Sequence, residues 1–297
     1  MKKYSGFLFS LEMIYRMKIV HIVSVLLCVS LVSPEYLYSQ SSFSLPRTEV
    51  VEIIDSGTKR VYELHIQHPR FFSKRKKYPV VYMTDSPYTF PIVTGAARFP
   101  VNFRKMEDLM FVGISWQKGH PAALSRQRDY TPTPSLEGFK DPSGGAQDHL
   151  NFIRRDVFTY IEERFNTDPS RRTYIGNSLG GLFGAYILSK SPNMFQSYIL
   201  GSPSIWWDDN HMTRQPFDLD KEYDGSVFIS VGALETKSST STKFDMVLGA
   251  KTLYSLLARN TAPGLDVELR IIPYANHETA FPTAAIQGLW WLFEDVE

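Results

Sequence analysis

The chain has 297 residues, 43% of them hydrophobic and 21% charged, with 32 Lys and Arg against 31 Asp and Glu. That length holds one large α/β domain with a full core, or two small domains, and the composition excludes the disordered and collagen-like classes. The net charge of +1 comes without any long basic or acidic block, which argues against a nucleic-acid binder.

In chain order, the first feature is a nearly unbroken apolar run over residues 19–32, preceded by Lys18 and followed by the polar, small stretch 33–40. Charge, apolar core and cleavage region in that order are the layout of a secretory signal. The run is too short to span a bilayer comfortably as a mature helix. Met17 is an alternative start, because Met17-Lys18 opens a cleaner signal than the segment holding Glu12 and Arg16. The expected organisation is therefore a signal peptide over 1–39 and a single catalytic domain over 40–297, exported to the periplasm or beyond. An uncleaved anchor is the alternative. Cys28, the single cysteine, lies inside the run behind Leu27, not behind the small residue of a lipoprotein site. The mature chain is then expected to carry no disulfide, no thiol chemistry and no stable membrane association.

Residues 48–55 and 61–68 alternate and are rich in Val, Ile and Tyr, with Ser56-Gly57-Thr58-Lys59 between them, which predicts an antiparallel hairpin. The basic run 74–77 reads as a solvated loop. Buried strands are predicted over 80–84, 110–115, 172–176, 197–201, 226–231 and 267–272. Between several of them lie periodic segments: 148–165, with Leu150, Ile153, Val157, Tyr160, Ile161 and Phe165 on one face, then 182–190, 244–260 and 284–293. Antiparallel strands followed by repeated β-α units predict a mostly parallel sheet with helices on both faces. The stretch 116–142 has no period and reads as a long loop serving a site.

Thr173-Tyr174-Ile175 runs into Gly176-Asn177-Ser178-Leu179-Gly180, and a helical pattern follows through Leu182, Tyr186 and Ile187. The G-x-S-x-G pentad is short enough to occur by chance; the strand before it and the helix after it are the context of a nucleophile elbow, with Ser178 at the turn. A serine hydroxyl needs a base. His65 and His68 fall in the hairpin as surface or edge residues, and His149 starts a helix as a capping or solvated residue. His120 and His211 lie in loops as substrate-contact candidates. His277 follows the last predicted strand and precedes the last helix, which places it at the strand edge where the elbow's base has to arrive. The acid that orients it should lie between Ser178 and His277 after a strand. Glu235 is a turn past such a strand and is preferred; Asp245, an early helix residue, competes, and Glu278 reads as solvent-exposed. No cysteine cluster or helical H-E-x-x-H occurs, so neither metal nor cofactor is expected.

Five segments besides the histidine carry a family resemblance. They are Tyr78-Pro79-Val80-Val81-Tyr82-Met83-Thr84-Asp85, Arg128-Asp129-Tyr130-Thr131-Pro132-Thr133, Gly144-Gly145-Ala146, the elbow, and Ser202-Pro203-Ser204-Ile205-Trp206-Trp207-Asp208, with Asn276-His277 closing the set. In this order the chain resembles the bacterial esterase branch of the α/β-hydrolases, which holds siderophore esterases, esterase D and mycolyltransferases. The resemblance implies the α/β-hydrolase fold, with a mostly parallel eight-stranded sheet, helices on both faces and the N-terminal antiparallel hairpin. It also implies a Ser178–His277 pair with Glu235 as third member, although some relatives work chiefly as a Ser-His pair. Trp206 and Trp207 are implied near the acyl or alcohol pocket, or else in the core. Arg128 and Tyr130 would hold a polar substrate group, or else pin their loop through a buried contact with Asp129.

The oxyanion is expected on the backbone N–H of Leu179 and on a second donor after the third strand. Where the family often uses the second residue after the Asp, this chain has Pro87, which has no N–H, so Ser86 or Tyr88 takes its place. The expected activity is two-step serine ester hydrolysis of a small-molecule ester. Acyl transfer, thioester or peptide cleavage, and a non-catalytic secreted binding module are the rivals.

Overall fold

The computed structural model describes residues 43–134, 142–217, 219, 223–238, 244–259 and 262–295. The predicted signal segment, with Met17 and Cys28, lies outside them.

Strand β1 (Thr48–Ile54) and β2 (Val61–Gln67) form the predicted antiparallel hairpin, with Thr48 opposite Gln67 and Ile54 opposite Val61. Six further strands follow: β3 (Tyr78–Met83), β4 (Met110–Ile114), β5 (Thr167–Asn177), β6 (Ser197–Gly201), β7 (Asp224–Gly232) and β8 (Gly264–Ile272). They build one sheet in the order β1-β2-β4-β3-β5-β6-β7-β8, antiparallel through β2 and β4 and parallel from β4 to β8.

The inner strands read as unbroken apolar runs because both faces of the sheet are covered. Val81, Met83, Ile175, Ile199 and Phe228 point to one core, which α1 (Ser86–Asn102) and α7 (Ala280–Phe293) close with Phe90, Val93, Ala285 and Leu289. Their neighbours Tyr82, Val112, Tyr174, Leu200 and Ile229 point to the other core. There they meet α3 (Ala146–Phe152), the π turn Ile153–Val157 that carries it into α4 (Phe158–Arg164), α5 (Leu179–Lys190) and α6 (Met246–Ala258). After β3 the chain moves to β4 on one side, and after β4 it crosses to β5 on the other. The C-terminal ends of β3 and β5 therefore border the crevice where such sheets bind ligands.

Three local expectations are corrected. The predicted periodic segments omit α1, whose interior holds Pro91 and Pro100 and so lacks a helical signature. The stretch 116–142 is not all loop: α2 (Ala122–Tyr130) lies within it, polar in sequence because much of its contact is with charged partners. His149 neither caps nor solvates its helix. It is buried inside α3 among the rings of Tyr62, Tyr130, Phe152 and Phe183, and burial pulls its imidazole below the ordinary histidine value.

Candidate active site

Ser178 stands between β5 and α5 at φ 60°, ψ −118°, a strained conformation for a residue with a side chain. Backbone bonds hold it there. Its N–H donates to Gly201 O (2.9 Å), and its carbonyl accepts from Leu182 N–H (3.0 Å) and Ser204 N–H (3.1 Å). Close approach explains the flanking glycines: a Cβ on Gly176 would sit 2.5 Å from Gly180 O, and one on Gly180 would sit 2.6 Å from Thr84 Oγ1.

Three more loops at the same sheet edge complete the arrangement. His277 follows β8, Glu235 follows β7 and Ser202 follows β6. Ser178 Oγ lies 3.0 Å from His277 Nε2, and His277 Nδ1 lies 2.6 Å from Glu235 Oε2. An ionised carboxylate only accepts, so Nδ1 carries the ring proton and Nε2 is left to accept from Ser178. The other Glu235 oxygen accepts from Ser202 Oγ (2.6 Å) and Gly232 N–H (2.8 Å). Glu235 is 1% exposed. Burial alone would raise its carboxyl, but the hydrogen bonds from His277, Ser202 and Gly232 outweigh it and hold the group below the usual carboxylate range. The β7 and β8 loops are joined by backbone, Ala233 N–H to Ile272 O (2.8 Å) and Leu234 N–H to Ala275 O (2.9 Å). The acid therefore reaches the histidine through the fold. Asp245, its competitor, instead caps α6 by accepting from Leu248 N–H at 2.8 Å.

The turn after β3 faces the elbow. Asp85 is also at positive φ (57°) and only 3% exposed. Its carboxylate accepts from Trp116 Nε1 (2.5 Å) and, in a bidentate pair, from Arg126 Nε and Nη2 (both 3.1 Å). Its N–H donates to Tyr130 Oη at 3.3 Å. Of the two donors expected here, Tyr88 N–H is committed to Asp85 O at 2.9 Å. Ser86 is the first residue of α1, where an N–H has no helical carbonyl to meet, and Leu179 holds the same position in α5.

The remaining candidates divide. Arg128 is corrected as a substrate contact: its guanidinium is buried and pairs with Asp129 at 2.7 and 2.8 Å, because an isolated charge at that depth needs a partner. Tyr130 is corrected likewise, being 1% exposed and serving the Asp85 turn from below. Trp207 is in the core, with its ring N–H on Thr133 O (3.2 Å), whereas Trp206 stacks on Phe244 at 3.8 Å and lines a surface cleft with Asp209 and Arg214. His120 sits in the turn before α2, and His211 lies 3.9 Å from Asp208. The sequence reading missed Ser202, Trp116 and Arg126. Arg126 stands two residues before Arg128, in a stretch that reads as loop in the sequence, where its charge does not set it apart from Arg128 and Asp129.

Three comparisons bear on this geometry. The family model described as "Putative esterase" matches residues 56–285. Ferri-bacillibactin esterase BesA of Bacillus subtilis strain 168 is 28% identical over 267 residues, covering 84% of this chain and 91% of its own. The crystal structure of BES protein from Bacillus cereus superposes with a TM-score of 0.77 at 25% identity, over 87% of this chain and 99% of that one. Siderophore hydrolase EstB from Aspergillus nidulans shares the fold, with a TM-score of 0.73 at 24% identity over 86% and 97% of the two chains. The eight-stranded sheet and the match across most of its length agree: this chain belongs to the "Putative esterase" family of the α/β-hydrolases and is an ester-bond hydrolase.

Proposed function

We propose that the protein is a serine carboxylic-ester hydrolase acting through an acyl-enzyme, with Ser178 as nucleophile, His277 as base and Glu235 as the group that orients it. The observation that carries this reading is the unbroken hydrogen-bonded chain from Ser178 Oγ through both ring nitrogens of His277 to a buried carboxylate. His277 Nε2 takes the hydroxyl proton as Ser178 Oγ attacks the ester carbonyl. The tetrahedral oxyanion is received by the N–H groups of Leu179 and Ser86, since Pro87 has none and that of Tyr88 is committed. Collapse breaks the C–O bond, and His277 returns the proton to the leaving alkoxide. Water, deprotonated by the same nitrogen, then attacks the acyl-enzyme and releases the acid with Ser178 restored. Glu235 stays ionised throughout and stabilises the imidazolium formed at each step.

The proposed substrate is a small-molecule ester of siderophore type, or an aryl or short-chain ester. What supports it is the similarity to esterases named for bacillibactin and enterobactin siderophores. Trp206 is proposed to contact the acyl or alcohol part from its cleft. Export of a mature domain from about residue 40 is proposed on the Lys18-led apolar run.

Labelling with a fluorophosphonate tests the mechanism: the wild type is expected to label and Ser178→Ala to remain blank. Equal labelling of both, or none of either, would overturn the assignment of Ser178. Substrate class is tested by comparing turnover of p-nitrophenyl esters with that of tri-catecholate siderophores, with and without iron.

A further inference from the structure

Helix α1 is apolar on both sides. Its inner side fills the sheet core, yet its outer face presents Pro87, Tyr88, Pro91 and Gly95, and no charge precedes Arg98. The stripe ends in Phe99, 71% exposed, and Phe103, 64% exposed, whose rings meet in a tilted pair with centroids 4.7 Å apart. Phe71 adds a third exposed ring beneath the Arg104 guanidinium, 4.7 Å from its centroid.

Arginines cluster around these rings with acids among them, for Arg104 and Phe71 line a cavity with Glu107, Asp108 and Asp295. Arg47, Arg70 and Arg98 line a single cavity at the C-terminal end of α1. Burial, with Arg70 and Arg98 close by, pulls the Arg47 guanidinium below its ordinary value, while Asp108 opposes that shift. Asp108 is the carboxylate of this cavity, and its two oxygens accept the backbone N–H groups of Arg70 and Phe71 (2.8 and 2.6 Å). Glu107 next to it is held by Arg171 and Lys76. An exposed apolar patch rimmed by charged residues marks an interaction site more often than a monomer's bare surface.

We propose that this face is a peripheral docking surface for anionic phospholipid bilayers, with Phe99 and Phe103 entering the headgroup–acyl boundary and the arginines lying at headgroup level. A bilayer supplies apolar cover for the rings and negative charge for Arg98 and Arg104. A second copy of the chain would meet it across a two-fold axis and set arginine against arginine. The cavity lies at the end of β2 and the start of β4, opposite the strand ends that carry Ser178 and His277. Docking there leaves the catalytic edge facing water. The contact is reversible and sharpens the sequence-based expectation of no stable membrane association.

The test is partition of the purified full chain onto sedimentable vesicles of phosphatidylcholine alone or mixed with phosphatidylglycerol, in low and high salt. Every variant shares residues 1–44 with the wild type, so the difference between variant and wild type reads this face. Wild type is expected to favour the anionic vesicles, with the preference suppressed by salt. Arg98→Gln with Arg104→Gln is expected to lower binding to anionic vesicles roughly thirtyfold, at about fivefold per cation. Phe99→Ser with Phe103→Ser is expected to lower binding to both vesicle types. All variants should hydrolyse a soluble p-nitrophenyl ester at the wild-type rate, which separates loss of docking from loss of fold. Two results would overturn the proposal: equal partition of wild type onto both compositions, or a dimer in sedimentation velocity that Phe99→Ser dissociates without any vesicle binding.

Discussion

Two turns border the catalytic crevice, and both hold a non-glycine residue at positive φ, Ser178 at 60° and Asp85 at 57°. The means of support differ. The Ser178 turn is held by backbone: its own N–H and carbonyl are bonded to Gly201, Leu182 and Ser204, and neighbouring glycines make room for the close approach. The Asp85 carbonyl also accepts from Tyr88 and Thr89 N–H, but the Asp85 carboxylate and N–H are held by side chains from 31 to 45 positions further along, Trp116, Arg126 and Tyr130. The glycines that make room around Ser178 leave a local motif. A turn supported by distant side chains leaves none, yet it carries the second oxyanion donor on the reading proposed above.

The largest effect expected from breaking the first turn's chemistry is that of Ser178→Ala, a fall in kcat on the order of 10⁶. Second is Glu235→Gln, which leaves His277 without its acceptor and should lower kcat on the order of 10⁴. Asp245→Asn is its control: it touches only the α6 cap, so a melting curve should move by about 1 kcal/mol at most while the rate holds.

The second turn gives the sharper test. Arg126→Met removes both guanidinium bonds to Asp85 and should lower kcat by up to about 10²-fold, the scale of one misplaced oxyanion donor, with KM little changed. The rate of fluorophosphonate labelling should fall in parallel, because it uses the same oxyanion contacts. An unchanged kcat would erase the distinction between the two turns, leaving Asp85 a purely structural residue.

The smallest expected effect is on stability against pH. Glu235 has its folded carboxyl held below the usual carboxylate value, so its contribution is fully present above that value and is lost as pH falls through the lowered one. The wild type should therefore lose melting temperature more steeply than Glu235→Gln on acidification from about pH 6 to 3. Parallel curves for the two proteins would mean that this carboxylate is not depressed.

Much of the fold was legible because buried strands leave unbroken apolar runs, as in β6, and amphipathic helices leave periods, as over the 148–165 segment. α1 was not legible, since its prolines and its apolar outer face erase the helical period. α2 was not, since its Arg126, Arg128 and Asp129 face partners that only the folded protein supplies. At the site, Ser178 and His277 stood out by position relative to their strands. For Arg128 and Tyr130 the choice between substrate contact and buried support stayed open, because the charge or hydroxyl of a side chain does not reveal whether it faces solvent or a buried partner.

The sequence by itself determined the order of the strands, the elbow around Ser178 and the arrival of His277 after the last strand, because each depends on residues a few positions apart. Only the tertiary structure decided between Glu235 and Asp245, brought Ser202 beneath the acid, tied Arg126 to Asp85, and buried Arg128. Those outcomes depend on which strand ends lie side by side and how deeply a charge is covered. Both are set by packing across 30 to 100 positions of chain, a separation over which residue order carries no periodic signal.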